Sequence, residues 1–301
     1  MTPLRVVITG GTGFVGRTLC EHLFRSNMQG RIVVPTRHRV AGKAIQLLPT
    51  VDLIEADVSD PRQLASLLAG ADALVHLVAV LHGDARRFER LHVQLPRELA
   101  KAARAAGVRR VVHVSALGVA ADAPSNYLRS KAAGEAVWRD SGLHVSVLRP
   151  SVIFGAEDRF TNLFARLQRV FPVLPLAGAA AQFQPVWVGD VAQAIVACLD
   201  QPAPHWPLLE CAGPEVLTLA QIVQRVGTMA GCARPILRLP EFAGMLQAAA
   251  LSMLPGEPLM PRDNVLSMRV PNLAGGHLPN LASLGIAAAG LDTLTEHFAA
   301  R

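Results

Sequence analysis

The chain has 301 residues, 51% of them hydrophobic and 17% charged, with a formal net charge of +6. That is too apolar for a disordered chain and long enough for two domains, or for one large α/β domain with an appendage. Four cysteines with no C-x-x-C pair exclude a disulfide scaffold and read as buried thiols of a reducing compartment.

The excess positive charge is scattered, with Arg86–Arg87 and Arg109–Arg110 as its densest points. Nucleic-acid binders concentrate charge on one face, so nucleic acid is not the expected partner. Attraction to phosphates or to an anionic membrane surface stays open. No apolar run reaches the roughly 18 residues that a membrane span needs. Leu4–Thr9 runs into a glycine-rich turn rather than a cleavage site, so no secretory leader is expected.

The first half alternates. Apolar, β-branched runs at Leu4–Thr9, Arg31–Thr36, Val51–Ala56, Ala73–Val78, Arg110–Ser115 and Val145–Arg149 predict strands. Helical spacing fills Val15–Arg25, Pro61–Ala69, Phe88–Ala106 and Asn126–Ser141. Asp60-Pro61 is a helix start, Gly107 and Gly142 are helix stops, and Pro96 predicts a break in the long third helix. Strands alternating with helices predict a Rossmann-type, doubly wound parallel α/β sheet. Thr161–Val170 is a predicted short helix, and Val186–Leu199 a strand entering a helix. Residues 208–301 show helices, turns and little strand signal, so they predict a smaller, mostly helical lobe. The expected division is 1–153 with 184–207 as the nucleotide-binding domain, and 154–183 with 208–301 as a substrate or partner lobe.

Between the first strand and first helix stands Thr9-Gly10-Gly11-Thr12-Gly13-Phe14-Val15-Gly16. Gly10 permits the tight turn, Gly13 lets backbone approach a pyrophosphate, and Gly16 lets helix and strand pack closely. The helix N-terminus then offers free amides to phosphate, which places Thr12, Phe14 and Val15 beside the cofactor. Strand 2 ends Thr36-Arg37-His38-Arg39 with no carboxylate to receive ribose hydroxyls. Arg37 therefore suits a 2′-phosphate, which favours NADP(H) with NAD(H) as the alternative; otherwise Arg37 is a solvated loop residue.

Tyr127 is the single tyrosine and Lys131 one of three lysines; they stand four positions apart on one helix face. An ammonium there favours the phenolate, which makes Tyr127 a candidate general acid/base. The ten histidines show no close metal-ligand spacing, and no metal is expected. His76 and His113 read as satisfied core histidines. Phe242–Leu254 is an apolar, helix-like stretch that either packs in the core or docks on a partner or membrane surface.

The G-x-x-G-x-x-G spacing with Y-x-x-x-K resembles the extended and atypical branches of the short-chain dehydrogenase/reductase superfamily. Local strings sharpen the resemblance: Tyr127-Leu128-Arg129-Ser130-Lys131, Arg149-Pro150-Ser151-Val152-Ile153-Phe154-Gly155, Glu157-Asp158-Arg159-Phe160 and Gln184-Pro185-Val186-Trp187-Val188-Gly189-Asp190-Val191. Over residues 4–200 they look like the branch that holds the nucleotide-binding accessory subunit of respiratory complex I and its bacterial relatives. The resemblance implies that Tyr127 and Lys131 are the reactive pair and that Asp57 and Val58 meet the adenine. It implies that Leu77, Val78 and Ala79 line the cleft and that Pro150, Ser151, Val152 and Ile153 pass beside the nicotinamide. Relatives carry a hydroxyl after strand 5; here Ser115 stands at the strand end, followed by Ala116 and Leu117, so Ser115 either serves catalysis or caps the strand. A buried Asp158–Arg159 pair would fix a loop over the nicotinamide; the alternative is an exposed charged loop.

A tightly held NADP(H) follows from the resemblance, with a structural or sensory nucleotide and a respiratory or quinone-related protein partner. The other reading is an active NADPH-dependent oxidoreductase or epimerase with a small or quinone- or lipid-like substrate. The expected location is cytoplasmic, with peripheral contact at the inner membrane left open.

Overall fold

The computed structural model describes residues 4–26, 30–200, 208–240 and 262–299. In chain order the first half gives β1 (Leu4–Thr9), α1 (Phe14–Arg25), β2 (Gly30–Thr36), β3 (Val51–Glu55), α2 (Pro61–Leu68), β4 (Ala73–His76), α3 (Ala85–Glu89), α4 (Leu95–Ala105), β5 (Arg110–Val114), α5 (Asn126–Arg139) and β6 (Val145–Pro150). Then come β7 (Ile153–Phe154), α6 (Arg159–Val170), β8 (Leu174–Ala177), β9 (Gln182–Phe183), β10 (Val186–Trp187), α7 (Val188–Asp200), β11 (Leu208–Cys211), β12 (Leu217–Thr218), α8 (Leu219–Met229) and β13 (Ile236–Leu239).

Seven strands form one parallel sheet in the order β3-β2-β1-β4-β5-β6-β11. The order reverses between β1 and β4, which opens a crevice at their carboxyl ends. The strands are apolar on both sides because both faces are covered. Leu19, Leu23, Val191 and Ile195 of α1 and α7 pack on one face. Leu64, Leu68, Leu99, Ala103 and Trp138 of α2, α4 and α5 pack on the other.

Local punctuation explains the helix ends. Asp60 accepts from the Arg62 amide at 2.8 Å, with Pro61 opening α2. Gly107 and Gly142, at φ +72° and +70°, supply the left-handed stops after α4 and α5. The predicted long helix is broken ahead of Pro96: Arg90–Gln94 forms a π turn between α3 and α4, with Pro96 in the first turn of α4. Proline lacks the amide that a continuing helix would need there.

Beyond β6 the sequence reading needs correcting. Residues 208–211, read as lacking strand character, form β11, the seventh strand, against β6. Its four residues include Glu210, too short a run to show β periodicity. The smaller lobe packs α6 on α8 around Phe164, Leu219, Ile222 and Val226, with β8 and β13 as a parallel pair. The Phe242–Leu254 stretch and the Gln201–Pro207 loop lie outside the described residues. All four cysteines are free, three of them buried.

Candidate functional site

The glycine turn sits at the crevice. Gly10 has φ +80°, and a Cβ there would stand 3.0 Å from the Leu77 carbonyl carbon and the Val78 nitrogen. Glycine is therefore what lets the turn close against Leu77 and Val78 after β4. A Cβ on Gly16 would lie 2.4 Å from the Gly11 Cα. Gly13 is the N-cap of α1, extended at φ −77°, and no side chain caps the helix. By contrast, side chains cap α2, α5, α6 and α8. The first turn of α1, with Phe14, Val15 and Gly16, thus keeps amide capacity for an outside anion. The Phe14 ring packs at Gly155, and Arg17 pairs with Glu157 at 2.9 Å, tying this turn to the loop after β7.

At the end of β2, the Thr36 hydroxyl bonds to the backbone of His38. Arg37 is exposed. Asp57 turns its carboxylate to the Ser59 amide and hydroxyl at 2.9 and 2.7 Å. Those bonds hold it below the usual carboxylate range, with the Arg37 charge adding to them. Val58 packs against the core beside it.

The Tyr127–Lys131 pair opens α5. Ser125 caps the Leu128 amide, and the Asp263 carboxylate takes the Asn126 and Tyr127 amides at 2.8 and 2.9 Å. Lys131 is buried, and its Nζ donates to the Val114 carbonyl at 2.7 Å. Burial lowers its ammonium to about 8 despite the attraction of Glu135, and burial pushes the Tyr127 phenol up to about 12. Ser115 is buried, and its Oγ has no hydrogen-bond partner among the described residues. Such a hydroxyl, at the strand end beside the lysine, is available to an incoming polar group.

The π turn contributes His92. The Val80 amide donates to its Nε2 at 3.1 Å, which assigns the proton to Nδ1. Nδ1 then donates to the Ser130 hydroxyl at 2.8 Å, and that hydroxyl donates to the Tyr127 carbonyl at 2.7 Å. The Tyr127 ring meets His92 and Phe88 edge-on, at centroid distances of 5.8 and 6.2 Å. Gly134 is what admits this contact, because a Cβ there would strike the His92 carbonyl at 2.2 Å.

Beneath α5 runs a polar row across three strands. Thr9 is in register with His76, and His76 with His113. Both histidines are buried, as expected, and stack at 5.3 Å. They are satisfied only in part. The His76 Nδ1 meets the Thr9 hydroxyl at 2.8 Å, but its Nε2 and both nitrogens of His113 have no partner among the described residues.

The Pro150–Ile153 segment is held from the far end of the chain. Ser151 Oγ donates to Asn272 Oδ1 at 2.6 Å, and the Val152 amide donates to the same oxygen at 2.9 Å. The Ser151 hydroxyl is thus already engaged within the chain. Asp158 is buried, caps the Thr161 amide of α6 at 2.6 Å and accepts from the Gly155 amide at 3.1 Å. It fixes the loop as a helix cap, while Arg159 is exposed. His92, Asp263 and Asn272 escaped sequence reasoning. Only His92 carried a local signal, its position just before Pro96. Among the described residues no group of three His, Cys, Asp or Glu side chains is placed to hold a metal. Among them also, no helix is long and apolar enough to cross a membrane.

Known proteins share the family and the fold. Subunit 9 of the mitochondrial NADH dehydrogenase (ubiquinone) 1 alpha subcomplex of Mus musculus is 31% identical over 93% of this chain and 75% of its own length. The ceramide reductase of Caulobacter vibrioides is 31% identical over 82% of this chain and 76% of its own. An NADPH-dependent quinone oxidoreductase of Escherichia coli, solved with NADPH, superposes with a TM-score of 0.78 at 23% identity, covering 97% of this chain and 99% of that one; it shares the fold. The profile of the NAD dependent epimerase/dehydratase family matches residues 6–207, and the chain belongs to that family.

Proposed function

We propose that the chain holds NADP(H) along the carboxyl edge of the sheet, as a structural or sensory ligand, and acts through a protein partner in a respiratory or quinone-related assembly. The observation that carries the binding is the uncapped first turn of α1 behind Gly10 and Gly13. Exposed Arg37, with Arg39 beyond it, supports the 2′-phosphate over NAD(H). In this reading Ser115 and Lys131 hold the nicotinamide ribose end. Pro150, Ser151, Val152 and Ile153 wall the ring, and residues 154–183 and 208–301 form the partner lobe. The half-buried Tyr127 phenol, pushed up to about 12 by desolvation, supports a resident ligand over rapid turnover. The free thiols support a reducing compartment.

One observation favours a second reading, turnover of a small or quinone- or lipid-like substrate: the unpartnered Ser115 Oγ beside Lys131. The nicotinamide would supply hydride chemistry. Ser115 would hold the substrate oxygen, and Tyr127, with Lys131 beside it, would pass the proton to or from that oxygen.

Denaturing freshly purified protein and weighing the released nucleotide by mass spectrometry tests the first reading. Near-stoichiometric NADP(H) is expected; an empty protein overturns residency and directs effort to substrates. Tyr127→Phe then separates the readings, because it leaves a resident nucleotide in place but abolishes any turnover.

A further inference from the structure

The smaller lobe carries a surface that the nucleotide site does not use. α6 ends at Val170, and the chain continues through Phe171, Pro172 and Val173 into β8. Val170 is 68% exposed, Phe171 47% and Val173 45%. In the β8–β13 pair, Leu237 stands in register with Pro175. Leu174 and Leu176 take the inner face and enter the lobe's core, so Pro175 and Leu237 both face solvent. Arg166 lies three positions before Arg169 and four before Val170, which puts the three on one side of α6. Arg234 precedes this strand, and its Nε donates to the Gln168 carbonyl near the end of α6 at 3.1 Å, which joins the two segments; Arg238 is in register with Leu176 and so stands on the other side of the pair from Leu237. Arg166, Arg169 and Arg238 are exposed and make no hydrogen bond or ion pair with the described residues.

The composition of this surface selects its partner. Residues 159–177 and 231–240 contain five arginines and no Asp or Glu. Every exposed side chain in them is arginine or apolar; no exposed amide, hydroxyl or carboxylate is present. Protein interfaces also use arginine and aromatic side chains, but set them inside a polar rim, and apart from arginine these segments expose no polar side chain. An anionic bilayer offers acceptor phosphates for guanidinium groups above an apolar boundary for aromatic and aliphatic side chains. We propose that this edge of the smaller lobe, Arg166–Val173 with Leu237, docks on an anionic membrane surface. The inference does not depend on the nucleotide.

Vesicle flotation tests it. The intact protein should float with vesicles of phosphatidylcholine and phosphatidylglycerol, stay behind with phosphatidylcholine alone, and be released by high salt. Arg166→Glu with Arg169→Glu should weaken binding at least about tenfold, and Phe171→Ser with Leu237→Ser by a similar factor. Thermal unfolding of the same variants should match the parent and so report that they are folded. No flotation on anionic vesicles, equal flotation on neutral ones, or flotation unchanged in both double variants each overturns the proposal. Patch-dependent self-association without vesicle binding also overturns it and assigns the surface to a protein contact.

Discussion

At the start of α1 the candidate site is made of backbone. Three glycines shape the turn, and the helix end is left without a side-chain cap. At the start of α5 it is made of side chains from three parts of the chain. Ser125 and Asp263 cap the amides, His92 and Ser130 hold the Tyr127 carbonyl, and Lys131 reaches Val114. The open end is suited to receive an anion, whereas the closed end has its dipole already answered. The two halves should therefore fail differently. Local backbone is indifferent to pH and fails when its space is filled. Buried polar side chains fail when their protonation changes.

Acid gives the largest effect, and it acts through the buried histidines beneath and beside α5. Burial, with the Lys131 charge adding to it, lowers His76 and His92 to about 3 and His113 well below its usual value. The folded state keeps these rings neutral, while the unfolded chain binds protons as pH falls through about 6.5. Below that point the unfolded state holds more protons, so stability falls with falling pH. Well below pH 6.5 the slope approaches about 1.4 kcal/mol per unit for each histidine, and at most about 4 kcal/mol per unit for the three together. Urea unfolding at a series of pH values between about 7 and 5 checks this. A flat profile would mean that the folded rings take up protons as readily as the unfolded ones.

Filling the open helix end is next. Gly13 is extended at φ −77° and ψ 176°, a conformation any residue adopts. Gly13→Asp would give α1 the cap that α2, α5, α6 and α8 carry, stabilising the helix by up to about 1 kcal/mol. The same carboxylate would occupy and repel the phosphate position, so nucleotide affinity should drop at least about a hundredfold. Calorimetric titration with NADPH and thermal unfolding read the two opposite signs. Retained affinity would remove the glycine turn from the site.

The contrast between the halves also governs what the sequence revealed. The α1 half was legible because its determinants are consecutive: Gly10, Gly13 and Gly16 act within one turn. Tyr127 and Lys131 were legible for the same reason, four residues apart on one helix. Their supports were not. Asp263 lies 136 positions from Tyr127, and Asn272 lies 120 from Val152. Such pairings follow from tertiary packing, which no local pattern encodes. His76 and His113 looked like ordinary core residues because their burial shows in the strand pattern, whereas their missing partners appear only once the strands are in register. β11 was hidden by its brevity.

At the nucleotide's far end, Arg37→Glu should lower the NADPH-to-NADH affinity ratio at least about tenfold, since a guanidinium–phosphate contact becomes a repulsion. Paired titrations of the variant and parent check it. The α5 half should not respond, and Lys131 should titrate as before. An unchanged ratio would return Arg37 to the solvated loop.

The smallest change tests whether the closed end of α5 is held from the smaller lobe. Asp263 is partly exposed, so removing its carboxylate in Asp263→Ala should cost only about 1 kcal/mol, a shift of about 2–4 °C in Tm. Asp263→Asn should lose nearly as much. Only one of its two terminal atoms accepts, and the other would point an N–H at an amide N–H. The Asn126 and Tyr127 amides should exchange with deuterium faster in both variants, while the Leu128 amide, held by Ser125, should keep its protection. Nucleotide content should not move, because α1 shares no bond with this cap. If Leu128 loses protection too, the whole first turn of α5 depends on Asp263, and the smaller lobe holds the Tyr127–Lys131 pair in place.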